Sequence, residues 1–426
     1  MNMMRGADSK SRRDFLALAG GGLMAALAPA GRAGAAVITN FNRRPTAPTR
    51  TQVVKDEGVW PMVSAESPHL MEEAIARYEI IVRRGGWLRL PRTRILVPGM
   101  KKNAVRALRR RMIAEGYLPP DNGDSRKFDE TLASAVIRFQ KNMGLRPTGY
   151  VNEATRRQLN ISAEARLETL RANLPRIEYD IRGVAARYII VNIPAAQLET
   201  VENGRVYSRH NVIVGMPDRP SPSLISRVTE LNFNPYWNAP VSIVRKDIIP
   251  KAKKSIRFLK QMNIRILDRA TGEEIDPRTI DWDRLDPARY LFRQEPGAGN
   301  AMASVKVNFP NRYSVYLHDT PTRQLFNQGA RYYSSGCVRV DQVHILTNWI
   351  LNGQNGWTPE RIQEIVRARQ RVDVRVFNSP SLIITYLTAW VTGDGQVHFR
   401  DDIYHLDGTG FVSGQPAPTG PAHQPG

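Results

Sequence analysis

The spacing of apolar residues divides this chain into helical and strand-forming stretches. PHLMEEAIARYEIIVRRGGW, from Pro68, repeats them at helical intervals, with Leu70, Ala74, Ile75 and Tyr78 on one face. Gly85-Gly86 ends that helix. KNAVRALRRRMIAEGYLP aligns Val105, Leu108 and Met112, with Asn103 as the expected N-cap. FDETLASAVIRFQKNMGL aligns Leu132, Val136, Phe139 and Met143, with Asp129 as cap and Gly144 as stop. TGYVNEATRRQL predicts a turn and a third short helix from Asn152. Three such helices can enclose one small core.

Beyond a helical connector the period drops to two. RYIIVNIPAAQLETVENGRVYSRHNVIVG predicts a strand over 187–193 continuing to 201, a turn at Asn203-Gly204 and a strand over 205–214. SLISRVTELNFNPYWNAPVSIVRKDIIPK begins as strand and becomes helical. ASVKVNFPNRYSVYLHD is strand-like and DQVHILTNWILNG helical. Strands and a hairpin at Gly393-Asp394-Gly395 follow. The fold class is α+β and multidomain, a mostly-β unit joined to a small three-helix unit. The expected divisions are an export signal (1–35), a linker (36–55), a helical N-terminal segment (56–98), the three-helix unit (99–160), a connector (161–180), the mostly-β unit (181–377), a C-terminal strand extension (378–408) and a disordered tail (409–426). Residues 250–305 interrupt the β pattern with Lys251, Lys253, Lys254 and Arg257 close together, and are expected to form a mobile lid.

Composition adds a compartment and a partner class. Arg12-Arg13 precedes an apolar stretch from Phe15 to about Pro29, then the small residues Ala33-Gly34-Ala35. That order is expected to be an export signal, too short to span a bilayer; it resembles the twin-arginine type, with an ordinary secretion signal as the alternative, and either way the mature chain is expected in the periplasm with no membrane span. The net charge of +21 falls to +18 once residues 1–35 are removed. Such a charge suits a polyanion, either an anionic membrane face or a carboxylate-rich polymer; export argues against nucleic acid, for which the sequence shows no binding motif.

The chain holds one cysteine, Cys337, within YLHDTPTRQLFNQGARYYSSGCVRV, nineteen residues after His318. An unpaired cysteine in an oxidising compartment is either a buried small apolar residue or a working thiol. An imidazolium and nearby backbone N–H groups lower a thiol's pKa, so His318 is the candidate base and Gly336–Cys337 the candidate oxyanion hole. Asp319 can fix the tautomer of His318, chiefly through its backbone carbonyl. The seven histidines, at 69, 210, 318, 344, 398, 405 and 423, show no metal-ligand spacing, and no cofactor is implied.

Residues 99–160 resemble the three-helix peptidoglycan-binding domain. HDTP…SSGCVRV resembles the L,D-transpeptidase catalytic domain, also called YkuD, whose signature is a His followed by Ser/Thr-His-Gly-Cys-x-Arg/Asn. His318, Gly336, Cys337 and Arg339 fall on motif positions, while Ser335 stands where most of the family has His. NPYWNAPVSIVRKDI resembles a segment near the family's substrate cleft and nominates Trp237. The resemblance implies that Cys337 attacks a tetrapeptide stem of peptidoglycan, releasing D-alanine and forming a thioester. A stem amine then resolves it as a 3→3 crosslink. Arg339, Ser335, Trp237 and Tyr316 become substrate-binding candidates, and carbapenems expected inhibitors. Resolution by water, giving a carboxypeptidase or endopeptidase, and a non-catalytic wall-binding scaffold are the alternatives.

Overall fold

The computed structural model describes residues 51–54, 59–92, 95–297 and 299–415. The expected export signal, the linker up to residue 50 and the tail from 416 lie outside the described residues.

Helices α1 (Ser67–Arg83), α2 (Asn103–Ala114), α3 (Glu130–Asn142), α4 (Glu153–Leu159) and α5 (Ala163–Asp180) form where the spacing predicts them. Asp129 caps α3 by accepting from Leu132 N–H at 2.9 Å, and Asn152 caps α4 through Thr155 N–H at 2.9 Å. Asn103 does not cap α2; it is the first helical residue. Lys102 N–H donates instead to Arg126 O at 3.1 Å, beside a Lys101–Lys127 bridge, and that extended pairing fixes where the helix starts.

Strands β1 (Gln52–Val53), β2 (Arg187–Asn192), β3 (Gln197–Glu202), β4 (Arg205–Gly215), β5 (Leu224–Arg227) and β6 (Glu230–Phe233) belong to one 12-stranded sheet. Its other members are β10 (Val305–Asn308), β11 (Leu317–His318), β12 (Tyr332–Ser334), β13 (Val338–Val340), β14 (Val372–Arg375) and β15 (Ser381–Thr385). The strand expected to run unbroken from 187 to 201 folds back on itself, with Tyr188 opposite Val201. Pro194, which has no N–H to donate, and Ala196, at φ 48°, make that turn. Asn203 (φ 50°) and Gly204 (φ 76°) make the expected next one.

The C-terminal strands are integral rather than an extension. β15 lies between β2 and β5, parallel to β2, with every residue buried. The hairpin of β16 (Ala389–Val391) and β17 (Val397–Phe399) then packs on the helices. Leu108, Leu132 and Phe139 share one continuous apolar cluster with Tyr188, Ile190, Trp390 and Phe399, so the three-helix unit and the sheet are joined through one core. The tail expected to be disordered from 409 is packed at Phe411 and Ser413. Phe411 is 6% exposed and its carbonyl accepts from Arg176 at 3.2 Å.

The segment expected as a lid is a folded unit that begins earlier, at Trp237. Strands β7 (Trp237–Asn238), β8 (Ile264–Asp268) and β9 (Tyr290–Gln294) form a three-stranded sheet. A helical run over 241–254, with a π turn at Val244–Ile248, packs with it. Trp237, Val244, Ile248, Leu259, Ile266 and Phe292 make its own core. Tyr316 packs against that core from the main sheet, which places the unit beside the candidate site.

Candidate active site

Three adjacent strands build the site. Lys306 on β10 is opposite His318 on β11, and His318 is opposite Arg339 on β13. Alternate residues of a strand share a face. Tyr316 and His318 therefore share one, and in this parallel register Cys337 and Arg339 join it. Leu317 and Val338 point the other way, into the core at 0% and 1% exposure. The Tyr316 and His318 rings meet edge to face at 5.5 Å.

His318 Nδ1–H donates to the Asp319 carbonyl at 2.6 Å, which leaves Nε2 as the basic nitrogen. The Asp319 carboxylate faces away, accepting from Ser304 Oγ at 2.6 Å and Thr320 N–H at 2.8 Å, with Arg323 at 3.2 Å. Burial pushes the His318 imidazole down to about 3, and the Arg339 and Lys306 charges add to that. Burial raises the Cys337 thiol, against the opposing pull of the Tyr316 backbone and hydroxyl, Lys306 and Arg339. The resting pair is therefore neutral imidazole and neutral thiol. The expectation of a thiolate held by an imidazolium does not fit, because burial outweighs the neighbouring cations.

Gly336 does not take its expected place in an oxyanion hole. Its N–H already donates to Ser334 Oγ at 3.1 Å, and Ser334 Oγ donates to the Cys337 carbonyl. Ser335 Oγ accepts from Arg219 Nη1 at 3.0 Å, and Arg219 pairs with Asp247 of the π turn at 2.9 Å. Trp237 is 6% exposed and belongs to the core of the 237–302 unit, against which Tyr316 packs; the Tyr316 side chain in turn lies near Cys337. It thus supports Tyr316 from the core. Arg339 Nη1 reaches Thr322 Oγ1 at 3.3 Å.

Sequence reading missed Lys306, whose Nζ lies 4.6 Å from the centre of the Tyr316 ring. The alternation Val305-Lys306-Val307 could have flagged it as the outward residue of a strand. It also missed Ser221 and Tyr404, which brace the Cys337 loop from remote segments that no spacing rule connects. Among the described residues no group of three or more His, Cys, Asp or Glu could hold a metal ion. No helix among them is long and apolar enough to cross a membrane.

Residues 186–366 match the family model of the L,D-transpeptidase catalytic domain, YkuD, and residues 101–159 match that of a peptidoglycan binding domain. A provisionally named L,D-transpeptidase of Haemophilus influenzae is 34% identical over 220 residues, 51% of this chain and 44% of that protein. The match thus spans less than half of that relative. An L,D-transpeptidase structure from Xylanimonas cellulosilytica, residues 123–326, is 14% identical with a TM-score of 0.21, covering 69% of this chain and 98% of that one. One from Stackebrandtia nassauensis is 12% identical with a TM-score of 0.24, covering 70% and 95%. Likenesses at those scores carry no weight here. The family matches do: the chain contains an L,D-transpeptidase catalytic domain of the YkuD family together with a peptidoglycan-binding domain.

Proposed function

We propose that this protein is a periplasmic L,D-transpeptidase that forms 3→3 peptidoglycan crosslinks through a thioester on Cys337, exported through the twin-arginine signal at Arg12-Arg13. One observation carries the reading. Cys337 sits beside Tyr316 and on the sheet face of His318, whose Nδ1–H is fixed by the Asp319 carbonyl.

In this mechanism His318 Nε2 takes the thiol proton as Sγ attacks the carbonyl of the stem's third residue, so no stable thiolate is needed beforehand. The Tyr316 hydroxyl is the donor for the developing oxyanion, with the Cys337 N–H beside it. Collapse breaks the C–N bond to D-alanine, and His318 returns the proton to the leaving amine. The amine of a second stem then attacks the thioester, His318 accepts its proton, and the Sγ–C bond breaks with the proton returning to sulfur. Arg339 holds a stem carboxylate. The folded 237–302 unit, packed against Tyr316 and linked to Ser335 through Asp247 and Arg219, acts as the cover of the cleft. The helical unit holds the enzyme on the wall.

Intact-protein mass spectrometry with purified tetrapeptide stems tests this. Wild type should lose D-alanine from the stem, carry one acyl group on Cys337 and release 3→3 dimers. A carbapenem should likewise add once, at Cys337. His318→Ala should slow acylation by about 10²–10⁴. Dimers or adducts formed by Cys337→Ala would overturn the nucleophile assignment. Release of tripeptide without dimers would instead identify a hydrolase.

A further inference from the structure

Two cations face the Cys337 thiol with no protein carboxylate in contact with either among the described residues. Lys306 is half-buried, stands in strand register with His318 and rests on the face of the Tyr316 ring. Arg339 is half-buried in register on the other side, with one hydroxyl, that of Thr322, as its hydrogen-bond partner. No ion pair to either is present among the described residues.

The nearby acids are all engaged elsewhere. Asp319 is bonded to Ser304, Thr320 and Arg323. Asp373 accepts from Asn232 at 2.8 Å and pairs with Arg371 at 2.8 Å. Glu230 accepts from Asn232 at 2.7 Å and from Asn308 at 3.3 Å. Glu230 and Asp373 offset the Lys306 charge only from a distance, and burial outweighs them, pulling the Lys306 ammonium below its usual range. An arrangement kept at that cost suits a ligand that brings its own negative charge.

We propose that Lys306 and Arg339 clamp a free carboxylate of the donor stem beside the carbonyl that Cys337 attacks, so that Lys306 is a specificity-determining residue for acidic over amidated stems. This rests on the transpeptidase reading above. The carboxylate belongs either to the departing D-alanine or to the side chain of the stem's third residue. Both present the same chemistry. A carboxamide in its place would leave two cations without a counter-charge, and a carboxylate held by charge-assisted bonds from both is the better substrate.

The test uses the full chain and two pairs of tetrapeptide stems. One pair differs in a C-terminal carboxylate against a carboxamide; the other differs in the same way at the third-residue side chain. Acylation kcat/KM is read by intact mass. Wild type should favour the acid about 10- to 100-fold in one pair, and which pair identifies the carboxylate. Lys306→Gln should collapse that ratio to within about threefold, and Lys306→Arg should restore most of it. Melting curves report folding, and stem binding to Cys337→Ala with and without Lys306→Met gives the same comparison without turnover. If wild type is acylated by none of the stems, the transpeptidase reading falls and the clamp with it. If it is acylated but shows no preference for the acid, or if Lys306→Gln discriminates as wild type does, the clamp alone is wrong.

Discussion

Ser221 Oγ donates to the Gly336 carbonyl at 2.7 Å, one residue before the thiol. The same oxygen accepts from Gly215 N–H at 3.0 Å. Tyr404 closes the brace, donating to the Gly215 carbonyl at 2.6 Å and accepting from Ser221 N–H at 3.2 Å. Gly336 itself sits at φ +111°, where a side chain is strained, and a Cβ there would lie 3.4 Å from the Pro220 carbonyl. The loop carrying Cys337 is thus held by Ser221, 115 residues before Gly336, and by a segment past the last strand.

Removing that brace should loosen the nucleophile more than the fold. Ser221→Ala leaves the Gly336 carbonyl and Gly215 N–H short of partners in a buried place, at a cost of about 1–3 kcal/mol. The acylation rate should fall roughly ten- to a hundredfold through misplacement of Sγ. Tyr404→Phe should act in the same direction. Denaturant titration and carbapenem acylation, measured on one preparation, check both. An unchanged acylation rate in both variants would show that the loop holds itself.

Much of this site is legible in the sequence because its parts are local. His318 and Asp319 are adjacent, and Ser334 to Arg339 run from the end of β12 through one short bend into β13, so residue types and order carry the information. The helices are legible for the same reason, their caps and faces repeating within a turn or two. What is not legible depends on distant pairing. Nothing local to SLIIT shows that β15 would insert beside β2, and nothing in RDDIY shows that Tyr404 would reach Gly215. The thiol's resting state depends on how deeply several strands bury it, and spacing does not report burial. Asn103 illustrates the local limit, since a short bridge at Lys101 moved the helix start past the residue with the better capping side chain.

Trp237 offers a test of the neighbouring unit. Trp237→Phe keeps most of the apolar bulk but removes the indole N–H from beside the Tyr316 hydroxyl. The expected result is a stability loss of about 1–3 kcal/mol with an acylation rate lowered by roughly tenfold. Tyr316→Phe should lower the rate further, because it removes the hydroxyl itself. If Tyr316→Phe acylated at the wild-type rate, the phenol would have no part in the chemistry.

Phe399 tests the shared core. It is 1% exposed, meets Tyr78 edge to face at 6.1 Å and lies under the Arg166 guanidinium at 4.2 Å. Phe399→Ala should cost about 3–5 kcal/mol. Because the cluster runs from α2 and α3 to β2 and β15, the helical and β signals should shift together in one denaturant transition. Residues 99–160 alone should melt well below the full chain, since they lose the Phe399 and Trp390 side of their core. Two separate transitions, only one of them moved by Phe399→Ala, would show that the units are independent.

Acid should weaken this fold before it reaches the catalytic pair. His210, His318 and His398 are buried neutral, with their imidazoles lowered to about 4, about 3 and about 3 chiefly by desolvation. Near pH 5 all three stay unprotonated in the folded chain but take up protons on unfolding, so their contribution to stability is present above about 6.5 and lost as pH falls toward 3. Asp180 runs the other way. Burial raises its carboxyl to about 7, against its bonds to Thr385 and Ser413, so near pH 5 it is protonated when folded and gives up a proton on unfolding. The net uptake from these four groups is about two protons, which corresponds to a loss of about 3 kcal/mol per pH unit around pH 5. Denaturant titrations between pH 4 and pH 7 should give that slope, and Asp180→Asn should steepen it by about one proton. Carbapenem acylation over the range where the chain stays folded should show no fall near 6.5, because His318 is already neutral there. An acid limb near 6.5 that disappears in His318→Gln would mean that His318 titrates as an exposed imidazole, and the neutral-pair description of the site would be wrong.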